Sequence, residues 1–188
     1  FTRSVLRSIN FPLAMPSANL STGLSPVSAK DVFDEFKKKL GLIVDGGKSK
    51  VGIESTVVDL TSHPKILRPG VISAKDIKNS LRINLSNKKT GVRSPGMMKK
   101  HYSPGIPIQL GKKPKNSRHA YIIFGKGYKN KDNYFNLSKK ADLKEAAANL
   151  YKTMRKIKKK GYLKIFVSKI PNFGPGIAIN DRLTRASK

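Results

Sequence analysis

Three short stretches of the chain hold small polar residues in glycine-rich or proline-rich backbone. They are Pro16-Ser17-Ala18-Asn19, the run GIESTVVD from Gly52 to Asp59, and Ser94-Pro95-Gly96-Met97 followed by His101-Tyr102-Ser103-Pro104. Hydroxyls and free backbone N–H groups in tight turns suit the oxygens of phosphates and carboxylates. Arg68, directly before the Pro69-Gly70 turn, adds a planar fork that can grip two phosphate oxygens at once. Read singly, each stretch is an ordinary turn. Read together, they are too specific to be turns alone and suit the gathering of anions.

Other chemistries find little support. The chain has no cysteine, which removes thiol nucleophiles, disulfide frameworks and zinc fingers. His63, His101 and His119 make no i, i+4 helical pair and have no carboxylate cluster beside them, so no protein-held metal is expected. There is no G-x-S-x-G elbow for a serine hydrolase. Gly125-Lys126-Gly127 follows a strand pattern but lacks the third glycine and the distant acid of a dinucleotide site, and it is read as a strand-ending turn.

The elements that must carry these residues read as α/β. Arg3 to Ile9 is a short helix and Pro12 to Met15 a short buried strand. Ser28 caps a helix whose apolar face is Val32, Phe33, Phe36 and Leu40, with Gly41 ending it. Leu42-Ile43-Val44 reads as a strand before the Asp45-Gly46-Gly47 turn, Thr56 to Leu60 and Ile66 to Arg68 as two more. Ser73 opens a second capped helix to Leu81. Residues 84–118 lose apolar periodicity and read as a linker. Beyond them come a strand at Ala120 to Phe124, a helix with Leu143, Ala147, Leu150, Met154 and Ile157 on one face, a strand at Leu163 to Val167, and a last helix at Ile177 to Ala186. The expected layout is therefore residues 1–83, a linker at 84–118, and a small α/β domain at 119–188.

Length and charge set the outer bounds. A chain of 188 residues makes one ordinary domain or two small ones. Its 39 basic and 11 acidic side chains give a net charge of +28. Residues 1–94 hold 16 basic and 7 acidic side chains and residues 95–188 hold 23 and 4, so the excess sits in the second half. Such a field attracts polyanions, RNA among them. A compositional origin for the lysines is equally open. No apolar run approaches the roughly 20 residues that span a bilayer. The first thirty residues are Arg- and Ser-bearing and free of acids, as a transit peptide would be. We favour instead a helix already inside a domain, and expect a cytoplasmic protein.

The run PLAMPSANLSTGLSP, the run VGIESTVVDL followed by ILRPGVI, the run SPGMMKKHYSPGIPI and the close GPGIAINDRLTRAS occur here in this order. Together they resemble the threonylcarbamoyl-AMP synthase family in its long, two-domain, YrdC-like form. The resemblance implies a YrdC-like twisted-sheet domain, a linker that folds over the active site, and a small Rossmann-like C-terminal domain. It implies that L-threonine and bicarbonate form a carbamate whose oxygen attacks the α-phosphate of ATP. Pyrophosphate leaves, and the product passes to the machinery that modifies adenosine in tRNA. ATP is then a substrate, Mg²⁺ its companion, and tRNA a possible contact of the basic surface; no membrane is involved.

Residue by residue, Ser17, Ser25, Arg68, Tyr102 and Asn19 resemble nucleotide contacts. Ser55 resembles the threonine-binding serine. Met15 stands where the family's backbone meets threonine, although a small residue is commoner there. His101 is a further candidate. The family's catalytic domain begins far ahead of its PSAN segment, with basic nucleotide-holding residues and a threonine-binding arginine in that part. On this reading the chain corresponds to the C-terminal part of such an enzyme and is expected to be inactive alone. The alternative is a non-catalytic, basic RNA-binding protein.

Overall fold

The structure is a computed structural model that describes residues 1–86, 91, 98 and 101–188. The SPGM part of the third polar stretch lies outside the described residues. Five helices and six strands follow in order: α1 (Thr2–Ser8), α2 (Ala29–Phe36), β1 (Val57–Asp59), β2 (Lys65–Arg68), α3 (Ala74–Leu81), β3 (Ile108–Leu110), β4 (His119–Ile123), β5 (Tyr134–Asn136), α4 (Leu143–Lys159), β6 (Lys164–Val167) and α5 (Pro175–Ala186).

The C-terminal half is a four-stranded parallel sheet in the order β3-β6-β4-β5. Its formation follows from sequence. Ala120, Ile122, Phe135, Ile165 and Val167 alternate along their strands and share one apolar cluster with α4 and α5. Asp142 caps α4 by accepting from the backbone of Lys144 and Glu145. Leu143, Ala146, Ala147, Leu150, Tyr151, Met154 and Ile157 then bury one stripe of that helix. Each fully buried large apolar side chain stabilises by about 1.5–3 kcal/mol. On the opposite sheet face Tyr121, Ile123 and Phe166 form a smaller apolar cluster, with Tyr128 and Tyr134 packed on them.

The strand β3 lies inside the stretch expected to be linker, and it pairs with β6 from Ile108↔Ile165 to Leu110↔Val167. Pro107 and Gly111 hide so short a strand from periodicity; its partner, far along the chain, makes it a strand. β5 likewise has three residues and depends on β4.

The N-terminal half is sparser. β1 and β2 form an antiparallel hairpin with an irregularity between Val57 and Val58. Ser28 caps α2, and Ser73 and Asp76 form a reciprocal capping box on α3. Two expected strands do not form. Residues 12–15 and 42–44 are extended and mostly exposed, because no neighbouring strand pairs with them among the described residues. The helix at 29–40 is also shorter than expected. Lys37 turns to φ +51° and opens a tight 3-10 turn over Lys37–Lys39, and Leu40 beyond it is exposed. Gly125 and Gly127 have φ of +84° and +87°, the strand-ending turn read from sequence.

Candidate active site at the junction of the two halves

The hairpin β1–β2 brings Ser55 and Arg68 together. Arg68 Nε donates to the Ser55 carbonyl at 3.0 Å and Nη2 to Ser55 Oγ at 3.3 Å. The exposed hydroxyl and the half-buried fork therefore open to the same surface. Gly70 makes this possible, because a Cβ there would collide with the backbone of Ser55 and Thr56. Thr56 Oγ1 closes the turn by donating to the Ile72 carbonyl at 2.8 Å.

Beneath the pair lies a buried network centred on Glu54. Its carboxylate accepts from Ser25 Oγ at 2.5 Å, from Tyr151 OH at 2.9 Å and from Arg182 Nε at 3.0 Å. Burial alone would raise its pKa. The Ser25 hydrogen bond and the Arg182 charge outweigh burial and hold the carboxyl below its ordinary value. Burial, with the Glu54 charge added, pushes Tyr151 well above a normal phenol. Ser25 is itself buried, and Arg155 on α4 donates to the carbonyls of Ser25 and Leu24. Gly52, at φ +75°, runs against the backbone of Ala148 on α4, where a Cβ would come within 2.5 Å.

The third stretch closes over this network. Tyr102 is 1% exposed, stacks on Tyr151 at 5.9 Å, and lies under the Arg182 guanidinium at 5.2 Å. Its hydroxyl is buried and has no hydrogen-bond partner among the described residues. His101 Nδ1 accepts from the Tyr102 amide at 3.0 Å. Burial and the charges of Arg185, Arg182 and Arg68 lower the His101 pKa, with Glu54 opposing them. Ser103 binds the Thr22 carbonyl and bridges Gly23, which ties this stretch to the first one.

Thus Ser25, Ser55, Arg68, His101 and Tyr102 converge. Met15 and Ser17 stay outside the buried network, exposed on extended chain. Asn19 folds on its own loop, donating to Leu20 and Gly23, with its Oδ1 buried and unpartnered. A cleft of about 510 Å³ lies elsewhere, between α2, residues 20–24, Ser103-Pro104 and the end of α4. Of the three polar stretches only Ser103 and Pro104 line it, none of the residues assigned a substrate contact does, and Arg155 and Lys159 there face Asp31, Glu35 and Asp34.

Sequence reasoning missed Glu54, Tyr151 and Arg182 as network members. A signal existed for Arg182: it falls on the buried stripe Ile179, Leu183 and Ala186 of α5, at a position where a polar face has no place.

The residues at the pair do not fit a resident divalent cation. Glu54 is the nearest carboxylate in sequence and is already taken by three donors, and no group of three or more metal-ligating side chains exists among the described residues.

The arrangement suits binding of a carboxylate or phosphate by a hydroxyl and a guanidinium, on a platform built jointly by two domains. Comparison with known proteins gives this class a family. Residues 72–188 match the family model of the threonylcarbamoyl-AMP synthase C-terminal domain. Residues 1–70 match a model described as telomere recombination. The chain belongs to the threonylcarbamoyl-AMP synthase family.

It is 32% identical to the threonylcarbamoyl-AMP synthase of Pyrococcus abyssi over 94% of this chain and 58% of that protein. It is 29% identical to the one of Bacillus subtilis, over 98% of this chain and 59% of that protein. The crystal structure of P. abyssi Sua5 complexed with L-threonine superposes with a TM-score of 0.77, at 31% identity, covering 92% of this chain and 56% of that one. The chain therefore spans a little over half the length of these relatives. Among the described residues, no helix is long and apolar enough to cross a membrane.

Proposed function

We propose that this chain serves a threonylcarbamoyl-AMP synthase, which converts L-threonine, bicarbonate and ATP to threonylcarbamoyl-AMP and pyrophosphate. The observation that carries the reading is the Ser55–Arg68 pair: a hydroxyl and a forked cation, joined by hydrogen bonds, facing one surface. Ser55 binds the threonine side, with Met15 beside the amino acid. Arg68 takes the α-phosphate, and Ser17, Asn19, Ser25 and Tyr102 complete the nucleotide side.

In the reaction the carbamate oxygen forms a bond to the α-phosphorus, and the bond from that phosphorus to the β-phosphate oxygen breaks. Negative charge grows on the phosphoryl oxygens, where a fixed guanidinium stabilises it. No covalent nucleophile is needed, in keeping with a chain without cysteine. Mg²⁺ would arrive with the nucleotide. A cytoplasmic location and hand-over of the product to tRNA-modifying machinery belong to the same reading.

The test is threonine-dependent pyrophosphate release by the intact gene product. Ser55→Ala or Arg68→Ala should lower it by about a hundredfold, as the loss of one transition-state donor does. Unchanged rates in both variants would reject the assignment.

A second observation favours an RNA contact. Lys131 lies 5.6 Å from the Tyr134 ring and Lys164 5.2 Å from Phe166, on the sheet face that α4 and α5 leave open. Lys126 and Lys129 stand in the same β4–β5 connection. Cations interleaved with aromatic rings suit a nucleic-acid strand. Binding to tRNA should fall steeply with salt; salt-insensitive or absent binding would remove this contact.

A further inference from the structure

A buried arginine in the last helix is unexplained by the site itself. Arg182 is 1% exposed and heads the fully buried side chains by size. Its Nε donates to Glu54 Oε2 at 3.0 Å, and its Nη1 donates to the Pro69 carbonyl at 2.7 Å and to Asp181 Oδ2 at 2.9 Å. Nη2 reaches the Glu54 carbonyl at 3.4 Å. Glu54 directly precedes Ser55, and Pro69 directly follows Arg68. One guanidinium thus holds the residue before the hydroxyl and the residue after the fork.

An apolar residue would fill this stripe of α5 without the desolvation that a buried guanidinium brings. The charge therefore needs a geometric reason. A planar fork with five donors can fix two backbone segments at a set distance and angle, which neither lysine nor an apolar residue can do.

The same turn of α5 also holds the third stretch. Asp181 accepts from Arg185 Nε at 3.0 Å as well as from Arg182. Arg185 Nη1 donates to the Met98 carbonyl at 2.9 Å, and the His101 amide donates to the Arg185 carbonyl at 3.4 Å.

We infer that Arg182 is a positioning residue: it sets the spacing of Ser55 and Arg68, so that the final helix of the C-terminal domain shapes the anion site without touching substrate. What the pair binds rests on the reading proposed above; the positioning itself does not.

Two measurements on the intact gene product separate these points. The first is hydrogen exchange at the amides of residues 54–57 and of Leu67, Arg68 and Gly70. Arg182→Gln should speed exchange there by about tenfold or more, the loss of a charge-assisted hydrogen bond, while the amides of β4 and β6 keep their protection. Arg182→Lys should restore only part of it, since one ammonium cannot span both segments. Glu54→Gln, nearly isosteric, should loosen residues 54–57 more than 67–70, because the bond to Pro69 survives. Unchanged exchange in all three variants, or equally faster exchange throughout the C-terminal sheet, would overturn the positioning role.

The second is L-threonine affinity by calorimetric titration. If Arg182 acts through the pair, adding Arg182→Gln to Ser55→Ala should weaken binding no further than Ser55→Ala alone. Additive losses would count against action through Ser55. A wild-type chain that takes up no threonine, with the exchange pattern as expected, would sink the threonine reading and leave the positioning role standing.

Discussion

The two halves of the molecule are ordered by different means. In the C-terminal half, β4, β6 and α4 bury nearly unbroken apolar stripes, and Ala120, Ile122, Leu150, Ile157, Ile165 and Ile179 are wholly inaccessible. In the N-terminal half, α1 and α2 bury no residue at all. Among the described residues before 100, only Leu24 and Ile53 are buried members of the main apolar cluster, with Val27 and Val71 packed against it. Of the 19 exposed large apolar side chains among the described residues, 14 lie between Phe1 and Leu81. One half has its own core. The other is fixed where it touches α4 and α5, through Gly52, Ser25, Glu54 and Pro69. The residues we assign to substrate stand on the half with the weaker core, at the places where the other half holds it.

The largest expected effect tests whether dependence runs one way. Leu150→Ala removes a side chain from the centre of the common cluster and should cost about 2–5 kcal/mol. Amide hydrogen exchange followed on heating should then lose the protection of both halves in one transition. A separate, unshifted transition for residues 1–83 would break the comparison.

Next comes the junction. Gly52→Ala places a Cβ within 2.5 Å of the Ala148 backbone at a left-handed φ of +75°. The cost should be about 1–3 kcal/mol, with L-threonine affinity lost while the C-terminal sheet keeps its amide protection. A variant with wild-type affinity would show that the contact with α4 does not govern the site.

The pH dependence sharpens the same point. The folded state lowers the His101 pKa, so the unfolded chain binds the proton more tightly. Stability linked to His101 is present above its unfolded value of 6.5 and is lost as pH falls through the lower folded value. Protonation also removes the Nδ1 acceptor that the Tyr102 amide uses. Circular-dichroism melts from pH 7.5 to 5 should show this loss, and His101→Gln should flatten it. An identical pH profile in the variant would assign the loss to other groups.

Much of this contrast was legible in the sequence. The caps Ser28 and Ser73 and the α4 stripe at 143, 147, 150, 154 and 157 are local patterns, and the structure has them. Residues 12–15 and 42–44 look like strands but lack a partner, and pairing is not a local property. β3 failed to show for the converse reason: three residues between Pro107 and Gly111 become a strand only against β6. At the site, Ser55 was singled out by the family resemblance and Arg68 by its fork directly before the Pro69-Gly70 turn. Glu54 and Tyr151 did not, since a carboxylate and a phenol acquire meaning only when folding places them 2.9 Å apart. Arg182 hid in plain view as a charged residue on an apolar stripe.

The smallest effect guards the other side of the comparison. Phe33 is 57% exposed on a helix with no buried residue. Phe33→Ser should change stability by no more than about 0.5 kcal/mol, as exposed substitutions do. A loss several times larger would show that the N-terminal half has a core of its own.

The most direct test is a titration of the labelled intact gene product with L-threonine, followed by amide NMR shifts. The account predicts saturable shifts at Ser55, Thr56 and Arg68, with β4, β5 and β6 silent. Shifts confined to the cleft beside Arg155, or no shifts at concentrations that saturate a threonine-binding relative, would contradict it.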